Sequence, residues 1–212
     1  MTLDITGMIL AGGTSRRFGR DKASEPLEGR PLLQWVEQRL EQVTQEIIVV
    51  KAAGQKLPAL ELPRPLTVIE DVIPGKGPLG GIYSGLQAAS HELSLAVGCD
   101  MPLLSVPLLR RLCALADGYD VVIPRRAGRL QPLHAVYRRD CREAMQRELQ
   151  AGRLEVISFL HAVRVRYVDE DEWAPYDKEG FSFFNVNAEA DLVQASRHLK
   201  REAVDTDPET TG

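Results

Sequence analysis

At 212 residues, with 44% hydrophobic and 26% charged side chains, the chain has the apolar content of one domain with a real core. A formal net charge of −4 excludes general affinity for nucleic acid or an anionic membrane surface. The sequence also lacks an apolar run near the roughly 20 residues of a membrane span. Three cysteines without CxxC spacing argue against a disulfide framework or a zinc site and read as buried thiols of a cytosolic protein.

In chain order, Ile5 to Ala11 is a continuous apolar run broken by Gly12-Gly13, the pattern of a buried parallel strand rather than a signal peptide. Pro31 can open a helix in which Leu32, Leu33, Trp35, Val36, Leu40 and Val43 recur at helical spacing. Ile47 to Val50 and Leu66 to Ile69 read as short strands, and residues 51–65 as a loop. A helix over Pro78 to Ala89 follows the Gly-rich PGKGPLGG. Leu93 to Gly98 is a strand that stops at Cys99-Asp100-Met101-Pro102, and Ser105 is placed to cap a helix reaching Ala116. Val121 to Pro124 continues the alternation, which predicts a doubly wound, mostly parallel sheet. Later elements are strands over Leu133 to Tyr137, Val163 to Val168 and Phe181 to Val186, and helices over Asp140 to Gln150 and Ala188 to about Leu199. A single domain over residues 1–200 is expected, with a polar, disordered tail over 201–212.

The segment LAGGTSRRFGRDK (Leu10 to Lys22) directly follows the first strand. Glycine permits the backbone to approach a phosphate closely, and Arg16, Arg17, Arg20 and Lys22 are the densest basic run near the N-terminus. Arg17 suits bidentate phosphate capture and Lys22 a point contact. The spacing matches neither GxxxxGK[ST] nor GxGxxG, so glycine alone implies only a turn, and the basic residues make it an anion site.

This segment resembles the LAGG-x(3)-R-[MF]-G-x(2)-K signature of nucleotidyltransferases related to molybdenum cofactor guanylyltransferase. Four further segments resemble that family in order: VIEDVIPGKGPLGGIYSGL, CDMPLL, QPLHAVY and FFNVN. The resemblance implies a Rossmann-like, three-layer α/β/α fold of the nucleotide-diphospho-sugar transferase type. It implies an enzyme that transfers GMP from GTP to molybdopterin and releases pyrophosphate, with Mg²⁺ as cofactor. Leu10, Ala11, Gly12, Gly13, Lys22, Asp71, Gly77, Pro78, Leu79, Gly80 and Asp100 are thereby the nucleotide-binding set. Arg17, Lys22 and Asp100 carry the catalysis and Asp100 the metal, while Gln131, Pro132, Asn185 and Asn187 bind the acceptor. No histidine receives a catalytic role, and His134 reads as structural.

Asp100, just past a buried strand, stands where open α/β sheets bind ligands, and a carboxylate there suits Mg²⁺ as well as it suits a turn. Asp71 can accept bonds from guanine N–H groups or ribose hydroxyls. Asn185 and Asn187, two apart on the expected strand, would share a face. One departure concerns the base: where the family commonly places a nucleotide-contacting asparagine, this chain has Val50-Lys51. Partners implied are GTP and molybdopterin, in the cytoplasm, with room for transient contact with cofactor-synthesis and acceptor enzymes. The rivals are a nucleotidyltransferase using CTP or a sugar or alcohol phosphate, and a non-catalytic GTP-binding adaptor.

Overall fold

A computed structural model describes residues 2–12 and 21–205. Strand β1 (Leu3–Leu10) leads to a two-residue ribbon, β2 (Pro26–Leu27) with β3 (Arg30–Pro31), and then to helix α1 (Leu32–Leu40). Next come β4 (Thr44–Lys51), β5 (Thr67–Glu70), α2 (Gly77–Ala88), β6 (Leu93–Gly98) and α3 (Val106–Ala114). The chain continues through β7 (Val121–Arg126), β8 (Arg129–Leu130), β9 (His134–Arg138) and α4 (Cys141–Gln150). It closes with β10 (Val165–Val168), α5 (Glu170–Trp173) and α6 (Glu189–Asp205).

The main sheet has the order β10-β7-β9-β6-β1-β4-β5, with β8 pairing off β7. All neighbours on this path are parallel except β9, which runs antiparallel to both β6 and β7. The expected doubly wound, mostly parallel sheet is therefore present. β1 at its centre is buried continuously from Ile5 to Leu10, because helices cover both faces.

One face packs against α1 and α3 through Leu33, Val36, Leu40, Leu108, Leu109 and Leu112. The other packs α2 and α4 through Leu79, Ile82, Leu86, Ala144 and Met145. Buried positions at i, i+3 and i+4 give each helix its apolar stripe. At Gly85 the α2 backbone lies against Met8, where a Cβ would sit 2.3 Å from its sulfur, so only glycine permits this approach. A third cluster places Leu192, Ala195 and Leu199 of α6 over Leu27, Leu32 and Leu103.

Two expectations are corrected. Phe181 to Val186 is not a strand: Phe181–Phe183 is a 3₁₀ turn, and extended chain follows it. The Asp177 carboxylate takes the Phe181 and Ser182 N–H groups, and Val186 N–H donates to the Asp100 carbonyl, which leaves no ladder for a strand to join. The apolar alternation instead reflects Phe183 packing into the α1/α3 face and Val186 packing under α6. Second, α6 continues to Asp205, so residues 201–205 are helical rather than a disordered tail, and 206–212 lie outside the described residues.

All three cysteines are free and buried, which raises their thiols well above the ordinary range. Among the described residues no helix is long and apolar enough to cross a membrane.

Candidate active site

The C-terminal ends of β1, β4, β5, β6, β7 and β10 share one edge of the sheet, where ligands of open α/β folds bind. β9 begins at that edge because it is antiparallel, and its His134 pairs with Val97 of β6. Gln131 and Pro132, just before His134, are thus carried to the end of β6 where Asp100 lies.

Asp21 caps a short 3₁₀ turn, Lys22–Ser24, by accepting the Ala23 N–H at 3.0 Å. This turn aims Lys22 across the edge. Its ammonium donates to Asp100 Oδ2 at 2.8 Å and to Asn187 Oδ1 at 2.6 Å. The pair is half-sheltered, with side-chain exposures of 14% for Lys22 and 20% for Asp100. An ion pair with this little solvent is screened less than a surface pair, so the two side chains hold each other in place at the edge. Asp100 Oδ1 has no hydrogen bond among the described residues and sits in space left by Gly98, whose Cβ would approach it to 2.6 Å.

The two asparagines expected on the acceptor side diverge. Asn187 faces Lys22, whereas Asn185 Nδ2 turns back to the Phe183 carbonyl at 3.2 Å. The expected shared face follows from a strand that is absent. Asn187 is held instead by its N–H on Asp191 Oδ2 at 2.7 Å and its Nδ2 on the Asn185 carbonyl.

At the opposite end of the edge, Asp71 follows β5. Its Oδ1 accepts from the Ile73 N–H at 2.9 Å and lies 2.7 Å from the Ser84 hydroxyl, which itself accepts the Val72 N–H. Oδ2 has no hydrogen bond among the described residues and faces Gly80. Three strand spacings separate β5 from β6, roughly 14 Å.

The remaining nucleotide set divides. Leu10, Ala11 and Leu79 are buried in the core, so only their backbones face the edge. The Ala11 and Gly12 N–H groups both donate to the Val50 carbonyl. Gly77 and Pro78 open α2 and are exposed, with Lys76 as the residue before the helix. Gly13 and Arg17 lie outside the described residues. Gln131 donates from its side chain to the Arg129 carbonyl, and the Pro132 carbonyl accepts the Tyr137 hydroxyl.

Lys51, with Val50, stands where the family commonly has an asparagine. Its ammonium bonds Glu70 Oε1 at 2.8 Å and the Gln55 carbonyl at 3.0 Å. Gln55 and Ser84 are contributors that sequence reasoning missed. A lone glutamine in a loop and a serine within a helix carry no motif. His134 is fully buried, against the Phe183 ring and 3.2 Å from the Ser182 hydroxyl, with burial holding its pKa down to about 3. Among the described residues no three His, Cys, Asp or Glu side chains cluster in a way that would hold a metal by themselves.

Residues 7–165 match the family model of the MobA-like NTP transferase domain. A probable molybdenum cofactor guanylyltransferase from Pelotomaculum thermopropionicum is 40% identical over 193 residues, covering 91% of this chain and 92% of the relative. The molybdenum cofactor guanylyltransferase of Desulfosudis oleivorans is 33% identical over 198 residues, with 92% and 96% covered. Among solved structures, molybdopterin-guanine dinucleotide biosynthesis protein A from Archaeoglobus fulgidus superposes with a TM-score of 0.77 at 24% identity, covering 93% of this chain and all of that one (100%). The 2-C-methyl-D-erythritol 4-phosphate cytidylyltransferase of Thermus thermophilus superposes at 0.68 with 19% identity, covering 94% and 100%. At those identities the two structures show a shared fold.

Proposed function

The chain belongs to the MobA-like NTP transferase domain family, and from that premise we propose that it transfers GMP from GTP to molybdopterin. The observation that carries this reading is the convergence of Lys22, Asp100 and Asn187 at the sheet edge, with Asp71 one nucleoside length away.

In the proposed reaction a phosphate oxygen of molybdopterin attacks the α-phosphorus of GTP. The bond from that phosphorus to the β-phosphate's bridging oxygen breaks, and pyrophosphate leaves with the bonding pair. The product is a guanine dinucleotide. No covalent enzyme intermediate is needed, so positioning and charge neutralisation supply the catalysis. Lys22 exchanges its contact with Asp100 for the phosphates, and Arg17 adds a fork from the Gly-rich segment. Asp71 Oδ2 accepts from the base or ribose. Asn187 and Gln131 meet the acceptor where the FFNVN segment approaches the start of β9.

Asp100 fits Mg²⁺, which uses one or two carboxylates and completes its shell with phosphate oxygens and water. When bound, the ion neutralises phosphate charge. We place the protein in the cytoplasm on the strength of this biosynthetic reading.

Pyrophosphate release should be measured with molybdopterin and each of GTP, CTP, ATP and UTP, for the wild type and Asp100→Ala. We expect turnover with GTP alone and loss of at least a hundredfold in the variant. Preference for CTP overturns the assignment, and GTP binding without turnover points to an adaptor.

A further inference from the structure

Strand β7 ends in Arg125-Arg126 and turns through Ala127 and Gly128 into β8. Both turn residues have positive φ, 46° and 75°, so this is a tight two-residue hairpin. Its register sets Arg126 directly opposite Arg129, and opposed residues of an antiparallel pair share a face. Two guanidiniums facing each other repel, and a hairpin of this length gains little that offsets it. Yet neither side chain has a hydrogen bond, or a carboxylate within ion-pair distance, among the described residues. Neighbouring Arg125, by contrast, pairs with Asp169 at 3.0 Å.

Arg126 is nevertheless held in place. Its guanidinium lies 5.8 Å from the centre of the Phe183 ring. On another side it meets Gly180, whose φ is +68° and where a Cβ would come within 3.1 Å of its Nε. Asp177 is the nearby acidic group and interacts with Arg126 by charge, but its two oxygens accept the Phe181 and Ser182 N–H groups and make no hydrogen bond to the guanidinium. A half-buried guanidinium fixed between a ring and a glycine backbone, with its donors unused, is preorganised for an anion.

We propose that Arg126 and Arg129 bind a second anionic group of the acceptor, an oxyanion or thiolate, apart from its reacting phosphate. This rests on the transferase reading above. β9 alone separates β7 from β6, so Arg126 starts about 10 Å from Asp100. The segment carrying Phe183, Asn185 and Asn187 bridges that interval, and Val186 N–H is bonded to the Asp100 carbonyl at 2.8 Å. A phosphate reacting at Asp100 therefore leaves Arg126 to a different part of the same molecule. Molybdopterin, which carries a dithiolene as well as its phosphate, has that form.

The test is direct binding of molybdopterin, followed by pterin fluorescence, to the wild-type chain, Arg126→Ala, Arg126→Lys and Arg129→Ala, with GTP affinity measured by calorimetry. We expect Arg126→Ala to weaken molybdopterin binding at least tenfold and Arg126→Lys to recover only part of it. Arg129→Ala, an exposed change that does not touch the core, should weaken it severalfold. GTP affinity should stay within twofold throughout. Unchanged molybdopterin affinity in Arg126→Ala and Arg129→Ala overturns the proposal, as does an equal loss of GTP affinity. A wild type that binds molybdopterin but releases no pyrophosphate sinks the transfer reading alone and leaves the binding comparison decisive. A wild type that does not bind molybdopterin overturns both.

Discussion

Gln55 holds Asp21: its side-chain amide donates to Asp21 Oδ2 at 2.6 Å and, through the same nitrogen, to the Ala11 carbonyl at 3.0 Å. One residue of the β4–β5 loop thus ties together the chain on either side of residues 13–20. Its own Oε1 accepts the Ala52 N–H at 2.8 Å, and its carbonyl accepts Lys51. Lys51 thereby braces Gln55. Gln55→Ala should raise the GTP KM about tenfold, since each lost hydrogen bond is worth about 1 kcal/mol. Gln55→Glu should be worse, because a carboxylate would face Asp21, and adding Asp21→Asn should recover part of the loss. Steady-state kinetics of the three variants check this, and a wild-type KM in Gln55→Glu would refute it.

Gly98 makes room for Asp100. An added methyl would sit 2.6 Å from Asp100 Oδ1, so Gly98→Ala must move the carboxylate. A displacement near 1 Å at a catalytic group can cost roughly a hundredfold. We expect kcat/KM to fall by about that factor while the melting temperature moves by only a few degrees. Wild-type turnover in this variant would show that the carboxylate's position is unimportant.

Ser84, buried in α2, joins Asp71 to its own helix. Its hydroxyl accepts the Val72 N–H at 3.1 Å and sits 2.7 Å from Asp71 Oδ1 and 2.8 Å from the Gly80 carbonyl. Ser84→Ala leaves the Val72 donor without its partner, a cost of about 1–3 kcal/mol by denaturant titration. It should also raise the GTP KM severalfold and spare the molybdopterin KM. Equal effects on both substrates would place Asp71 outside the nucleoside site.

Two buried groups set opposing pH slopes of stability. Burial, with the neighbouring Glu41 carboxylate adding to it, raises Glu37 to about 7. Its protonated form is favoured in the folded state, so its contribution is full below pH 4.5 and is lost as pH rises towards 7. Glu37→Gln should therefore be near neutral at pH 4.5 and stabilising by about 1–2 kcal/mol at pH 8. His134, held down to about 3 by burial, acts the other way: its contribution is present above pH 6.5 and declines as the pH falls towards 3. His134→Gln should flatten that acid limb, whatever its effect on absolute stability. Thermal melts from pH 4.5 to 8 read both slopes, and unchanged slopes would refute the assignments.

The alternation of strands and helices was legible because apolar periodicity is local, and from β1 to α4 it places the longer elements within a few residues of their observed bounds, while the two-residue strands β2, β3 and β8 are too short to show a period. The Phe181 to Val186 segment misled because its apolar residues serve two different clusters, while Asp177 takes the N–H groups a ladder would need. A side chain that captures backbone donors four and five residues away leaves no mark on hydrophobic period.

The sequence by itself determined the fold class, and it is the source of the proposed anion-binding role of the Leu10 to Lys22 segment and of Lys22, Asp71, Asp100 and Asn187 as proposed site residues. Those features follow from local residue chemistry and from motif order. Tertiary structure alone decided which of them meet. Lys22 reaches Asp100 across 78 residues of chain and Asn187 across 165, and Gln55 reaches Asp21 across 34. It also set β9 antiparallel, which carries Gln131 to the end of β6, and placed Arg126 against Phe183 and Gly180. Such pairings depend on sheet register and crossover direction. Both are fixed by how the buried faces pack against one another, a property of the whole core and not of any one segment.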